Sequence, residues 1–269
     1  MTEGIARQAT AAFNAGRRDE ARRLCEQGLA RAPGEAMLSH LLAAVLFAAG
    51  ELPSARSHID ASLAKRPDNA AARLLAARIA RGLSDFDAAL LHLDRALALS
   101  PQHDTLLEKA RTLEAAGLKP QARKAWRAIL KALPQSQEAA ARLGHLAWED
   151  GDHQTALSLL ERATSSEAPA SVWFDLGVVR QDLRDHEAAA KAYRKALDIK
   201  PDYAEAAMNL GIAVQDCGDP DRAMRAYANA YRLRPAMFGR IAMALTTASH
   251  GRLWLDEGAL RRALDSLGR

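Results

Sequence analysis

The sequence predicts an all-α solenoid of helix-turn-helix repeats closed by a helical C-terminal cap, and three periodic series of residues predict it. Pro33, Pro67, Pro101, Pro134, Pro169, Pro201 and Pro235 are separated by 34, 34, 33, 35, 32 and 34 residues. Ala21, Ala55, Ala89, Ala122, Ala156, Ala189 and Ala223 are separated by 34, 34, 33, 34, 33 and 34. Gly16, Gly50, Gly117, Gly151 and Gly218 keep the same step with two beats skipped. A fixed period of this size marks an array of repeats, each one supersecondary unit. The glycine stands where a first helix stops, because a C-cap needs the left-handed conformation. The alanine is small because two helices cross closely there. The proline ends the second helix and cannot continue its hydrogen-bond ladder.

Taken in order, the repeats occupy about 2–35, 36–69, 70–102, 103–136, 137–169, 170–203 and 204–237, and a capping segment follows over 238–269. Repeat one has Gln8 and Ala9 where better copies hold leucine and glycine. In repeat two the longest apolar stretch, Met37 to Gly50, forms the first helix. Pro53 then sits in the first turn of the second helix, where proline is tolerated, as do Pro120 in repeat four and Pro220 in repeat seven. Repeat three has Ser84 where the turn glycine is expected. Trp126 of repeat four marks a second-helix site that Cys25, Tyr193 and Tyr227 hold in repeats one, six and seven. Repeat five keeps Leu143, Gly144, Gly151, Ala156 and Ala163. In the cap, Phe238, Ile241, Ala242 and Leu245 recur at helical spacing, Ser249-His250-Gly251 breaks the helix, and Asp256 caps a last helix from Glu257 to Leu267. An end cap covers the apolar face a terminal repeat would expose.

The most complete copy is Trp173, Leu176, Gly177, Ala189, Tyr193, Ala196 and Pro201, followed by Leu210, Gly211, Gly218, Ala223, Tyr227, Ala230 and Pro235. This pattern resembles the tetratricopeptide repeat. The resemblance covers residues 2–235 and implies a right-handed superhelix whose first helices line a concave, peptide-holding face. Carried over repeat by repeat, it implies a groove that includes Phe47, Arg78, Arg111, Arg142, His145, Trp148, Phe174, Met208 and Asn209. Arg78, Arg111 and His145 are 33 and 34 residues apart and form one expected basic row. Guanidinium groups suit carboxylates and phosphates, so the expected partner carries acidic and apolar residues together. Glu108, Glu114 and Glu149 lie nearby and offer the alternative of intramolecular pairing. Asn209 resembles the asparagine of chaperone-cofactor carboxylate clamps, but Arg142 and Asp175 at the equivalent sites do not complete one. Trp254 and Leu255 in the cap are a candidate second interface, for a partner or a second copy of the chain.

Other function classes find little support. Of 269 residues, 37 are basic and 33 acidic, for a net charge of +4; such mixed signs argue against a phosphate-tracking nucleic-acid surface. The histidines show no i, i+4 pair and no H-E-x-x-H, and there is no P-loop, G-x-S-x-G or glycine-rich dinucleotide turn. No metal site, cofactor or catalytic residue is expected, and the chain does not read as an enzyme. The start lacks a secretory pattern, and no apolar run is long enough to span a bilayer. Cys25 and Cys217 fall in distant repeats and are expected as reduced thiols, which fits the cytoplasm. The reading is a cytoplasmic, non-catalytic scaffold or adaptor that binds a peptide segment or partner protein. The alternative is an accessory subunit or assembly partner of a cytosolic enzyme; a nucleic-acid-binding repeat is the third.

Overall fold

The computed structural model describes residues 2–165, 167–247 and 256–267, and every regular element among them is helical. Fourteen helices pair as seven hairpins: α1 (Thr2–Asn14) with α2 (Arg18–Arg31), α3 (Ala36–Ala48) with α4 (Leu52–Lys65), α5 (Ala70–Gly82) with α6 (Phe86–Leu99), α7 (His103–Ala115) with α8 (Lys119–Ala132), α9 (Gln137–Glu149) with α10 (His153–Ala163), α11 (Ala170–Asp182) with α12 (His186–Ile199), and α13 (Ala204–Asp216) with α14 (Pro220–Leu233). A 3-10 turn, Pro235–Met237, leads into α15 (Phe238–Thr247), and α16 (Glu257–Leu267) is last. The chain divides into two compact units, 1–129 and 130–269. In the first, each helix from α1 to α7 packs on its neighbours in sequence; in the second, α9 to α14 do the same and α15 and α16 pack on α14.

The helices begin where acceptors meet the free N–H groups of the first turn. Asn69, Asp85, Ser136, Asp152, Asp185 and Asp219 each accept from the backbone N–H three residues on, at 3.0 to 3.4 Å. Asp256 does the same for α16, taking Gly258 N at 2.8 Å and Ala259 N at 3.2 Å. Pro53, Pro120 and Pro220 lie in the first turns of α4, α8 and α14. Six of the seven periodic prolines stand two residues past a second helix. Pro169 departs from that pattern. Helix α10 already ends at Ala163, and Pro169 instead precedes α11 at its N-cap position.

All five periodic glycines have positive φ, from 72° to 82°, and the two skipped beats are filled by Ser84 at 61° and Arg184 at 64°. The turn geometry is therefore kept where its preferred residue is not. The left-handed region is strained for an L side chain, so repeats three and six hold these turns against a local cost.

Each hairpin is closed by one residue from each helix, 16 positions apart in sequence. The first-helix members are Ala9, Ala43, Ala77, Ala110, Gly144, Gly177 and Gly211. Their second-helix partners in register are Cys25, Ile59, Leu93, Trp126, Leu160, Tyr193 and Tyr227. All the second-helix members are buried, none more than 1 % exposed. Where that member is a tyrosine the opposite residue must be glycine. A Cβ on Gly177 would lie 2.5 Å from the Tyr193 ring, and one on Gly211 2.4 Å from the Tyr227 ring. Cys25 is part of this buried series, and burial pushes its thiol up to about 11.

The polar tips of the large members are satisfied from one further register. Trp126 Nε1 donates to Glu114 at 3.0 Å, Tyr193 OH to Gln181 at 3.0 Å, and Tyr227 OH to Gln215 at 2.7 Å, always 12 residues back. In repeat five the second-helix member is Leu160, which needs no acceptor, and that register holds Trp148. In the cap, Leu260 and Leu264 of α16 are buried in the same cluster as Tyr227, Phe238 and Ile241. The Ser249-His250-Gly251 break and the Trp254–Leu255 patch lie outside the described residues.

Replacing Arg184 by glycine removes the left-handed strain at a half-exposed turn and should raise stability by about 0.5–1 kcal/mol, after the extra chain entropy of glycine is set against it. Gly151→Ala, at a site with nothing within 4 Å of the new Cβ, should lower it by about 1 kcal/mol through φ alone. Urea denaturation of both variants reads the two signs.

Candidate partner-binding surface

The first helices of unit 1–129 carry a charged cluster built around a buried carboxylate. Glu108 on α7 is 1 % exposed. Arg81 Nε donates to its Oε1 at 2.6 Å and Arg78 Nε to its Oε2 at 3.4 Å, both from α5, while Arg111 Nη1 lies 3.7 Å from Oε2. The three arginine side chains remain 35 to 37 % exposed. Burying a carboxylate is costly unless charge and hydrogen bonds compensate it, and here three guanidinium groups do so. The Nη groups of Arg78 and Arg81 have no protein partner among the described residues. Arg78 and Arg81 share this one carboxylate, so the pair carries one formal positive charge beyond what Glu108 neutralises.

On the same series of first helices lies an open cleft of about 340 Å³, lined by Phe13 of α1, by Met37, His40, Leu41 and Ala44 of α3, and by Arg66 and Asn69. Its walls are mainly apolar and Met37 is 51 % exposed. Burial pushes the His40 imidazole below its ordinary value, so it is neutral here at pH 7. Phe47, one turn beyond Ala44, is half-buried against the core of repeats one to three. Not every polar group on α5 serves this face: Arg73, 8 % exposed, donates to Pro67 O at 2.9 Å and lies 3.3 Å from His92 Nδ1. His92 thereby accepts on Nδ1, and burial together with the Arg73 charge pushes its pKa down.

In unit 130–269 the expected residues separate into different roles. His145 Nδ1 lies 3.3 Å from Asp175 Oδ2, and its ring stands 5.7 Å from that of Trp148. Trp148 Nε1 donates to Asp182 at 2.7 Å. Arg142 is exposed. Phe174 packs between Tyr193 and Tyr203, with ring centres 5.7 and 5.0 Å away, so half of it serves packing. Asn209 Nδ2 reaches Tyr193 OH at 3.5 Å. Met208 is a correction: it is 1 % exposed in the core cluster of α12 to α16, where a partner cannot touch it, because its place on α13 faces the neighbouring helices.

Glu108 was foreseen only as a neutralising neighbour. Its burial is the new fact, and its signal was faint: a glutamate at the register where Leu41 and Leu75 stand in the two preceding repeats. Among the described residues no group of three or more His, Cys, Asp or Glu side chains could hold a metal ion, and no helix is long and apolar enough to cross a membrane.

Family models described as tetratricopeptide repeat match residues 12–79 and 107–172, and one described as TPR repeat matches 179–218. A crystal structure of MamA protein is similar at 25 % identity, over 62 % of this chain and 93 % of that one, with a TM-score of 0.54. YrrB, described as a TPR protein with an unusual peptide-binding site, is 20 % identical over 68 % of this chain and 95 % of its own, with a TM-score of 0.52. A chain of the APC/C hetero-tetramer Cut9-Hcn1 is 16 % identical, with 96 % of this chain covering 48 % of that one, at a TM-score of 0.67. The last two are likenesses of fold. No curated protein matches the sequence.

Two half-buried imidazoles give the fold a pH dependence whose sign is fixed. His40 and His92 both have folded-state values below the ordinary 6.5, so the unfolded chain takes up protons first. Their contribution is intact above about 6.5 and declines as pH falls from there through their folded-state values. Denaturation midpoints at pH 7.5 and 5.5 should show this loss, and a His40→Gln, His92→Gln double variant should flatten it.

Proposed function

From the premise that the chain belongs to the tetratricopeptide repeat family, whose arrays are in general interaction scaffolds rather than catalysts, we propose that it holds an acidic and apolar peptide segment of a partner protein across the first helices of residues 1–129. The apolar side chain of that segment enters the cleft beside Phe13, Met37 and His40, and a carboxylate bonds the Nη groups of Arg78 and Arg81. The observation that carries the reading is the convergence of three guanidinium groups on buried Glu108. It pre-orders two planar forks, so little side-chain freedom remains to be lost when a carboxylate binds. Glu108 is therefore a positioning residue and the arginines are the contacts. His145, Trp148 and Arg142 extend the same kind of surface within residues 130–269. The cytoplasm is the expected compartment, and an assembly partner of an enzyme would use the same face.

A library of random dodecapeptides selected on the immobilised chain tests the proposal. Enriched peptides should combine Asp or Glu with a large apolar residue. An Arg78→Glu, Arg81→Glu double variant should weaken them at least tenfold, about 1.4 kcal/mol, and a neutral Phe47→Ser variant should weaken them less. Enriched peptides that carry no acid, or that bind the double variant as well as the wild type, would contradict it. Tighter binding of single-stranded RNA than of any peptide would favour the nucleic-acid alternative.

A further inference from the structure

A second groove lies on a different side of unit 1–129, between the second helices rather than across the first. It has a volume of about 550 Å³ and runs between α6 and α8 over a floor from α7. Leu90 and Leu97 form one wall, Ala125, Ala128 and Ile129 the other, and Leu106 and Leu113 the floor.

Its origin is a single register position. The residue before the small hairpin member is Leu42, Ala76, Leu143 and Leu176 in repeats two, three, five and six, each buried at 7 % or less, half-buried Leu210 in repeat seven and exposed Gln8 at the end of the array. In repeat four it is Lys109, whose side chain is 32 % exposed and bonds Asp94 of α6 at 2.6 Å. A lysine cannot fill the core there and leans out to a carboxylate, so the wedge between α6 and α8 stays open. Leu106, at the register Trp173 occupies in repeat six, is left 38 % exposed.

The charge around the groove says what fits it. Asp94 is neutralised by Lys109. Lys124 on the α8 wall is exposed, as is Arg127 one turn on, and neither has an ion-pair partner among the described residues. From Lys119 to Ala132, α8 contains five basic residues and no acidic one. We propose that this groove docks an acidic amphipathic helix of a partner protein. Its leucine-type side chains, at i, i+3 and i+7, lie between the α6 and α8 ridges, and its carboxylates face Lys124 and Arg127. This surface is separate from the first-helix face, so the two can be occupied at once.

Three synthetic helical peptides of about 16 residues, long enough to hold a helix when stapled, test this by fluorescence anisotropy against the full chain. One carries leucines at i, i+3 and i+7 with glutamate flanks, one the same leucines with lysine flanks, and one the glutamates with serine for leucine. The first should bind at least tenfold tighter than either control. Lys124→Glu, Arg127→Glu should lower its affinity at least tenfold. So should Ala128→Trp, which fills the groove from an exposed position and whose unchanged circular dichroism shows that the fold is intact. Met37→Ser, at an exposed position of the first-helix cleft, should leave it unchanged. Equal binding of the lysine peptide, no binding of the acidic one, or indifference to Ala128→Trp overturns the proposal. So does a concentration-dependent dimer that Ala128→Trp dissolves, since the occupant would then be a second copy.

Discussion

Everything in this chain depends on the close crossing of two helices within each hairpin, held by one small residue and one buried partner 16 positions later. The first helix supplies alanine or glycine, and the second supplies whatever fills the space that remains. In a densely packed interior such a pair has little slack, and the choice on one side limits the other: both tyrosines face glycine, isoleucine and tryptophan face alanine, and leucine faces alanine at Leu93 and glycine at Leu160. The position 12 residues before the second member then follows. It is Glu114, Gln181 or Gln215 where a ring needs an acceptor, and Phe13, Phe47, Arg81 or Trp148 where the second member is Cys25, Ile59, Leu93 or Leu160. Three registers are thus one coupled choice, repeated with variations. Because every hairpin repeats it, stability accumulates from neighbour to neighbour.

The functional surfaces arise where that choice is broken. Position 108 places a carboxylate at a register that holds leucine in repeats two and three and a polar residue in repeats one, five, six and seven, and three arginines gather on it. Position 109 breaks it with a lysine in place of a core leucine or alanine, and a groove opens between α6 and α8. Both departures lie side by side in repeat four, Glu108 reaching α5 and Lys109 reaching α6. Local rules are commonly violated at functional sites, and here the same short stretch of helix carries the charged cluster on one side and the apolar groove on the other.

Much of the fold was legible in the sequence because its reasons are local. Glycine at a C-cap, proline past a helix end and alanine at a crossing are each chosen by the backbone of one turn, so periodic spacing alone exposes them. Ser84 and Arg184 hid the two skipped turns because a strained residue can be carried by its surroundings, and no spacing rule marks that. Pro169 was misread because a helix can stop before its proline, as α10 does at Ala163. The candidate site was less legible. Arg78 and Arg111 were visible as a row, but their meeting at Glu108 depends on contacts between repeats. Met208 looked like its neighbours in register and is in fact core, because its place on α13 faces the neighbouring helices.

A double-mutant cycle on Gly177→Ala and Tyr193→Leu tests the coupling on which this account rests. Alanine at 177 should cost a stable hairpin about 1–3 kcal/mol beside the tyrosine ring and far less beside leucine, the pairing that Ala77 and Leu93 already use. The coupling energy should then exceed about 0.5 kcal/mol. Strict additivity of the two substitutions would mean that the small residue and its partner are chosen independently, and the account of how these hairpins close would be wrong.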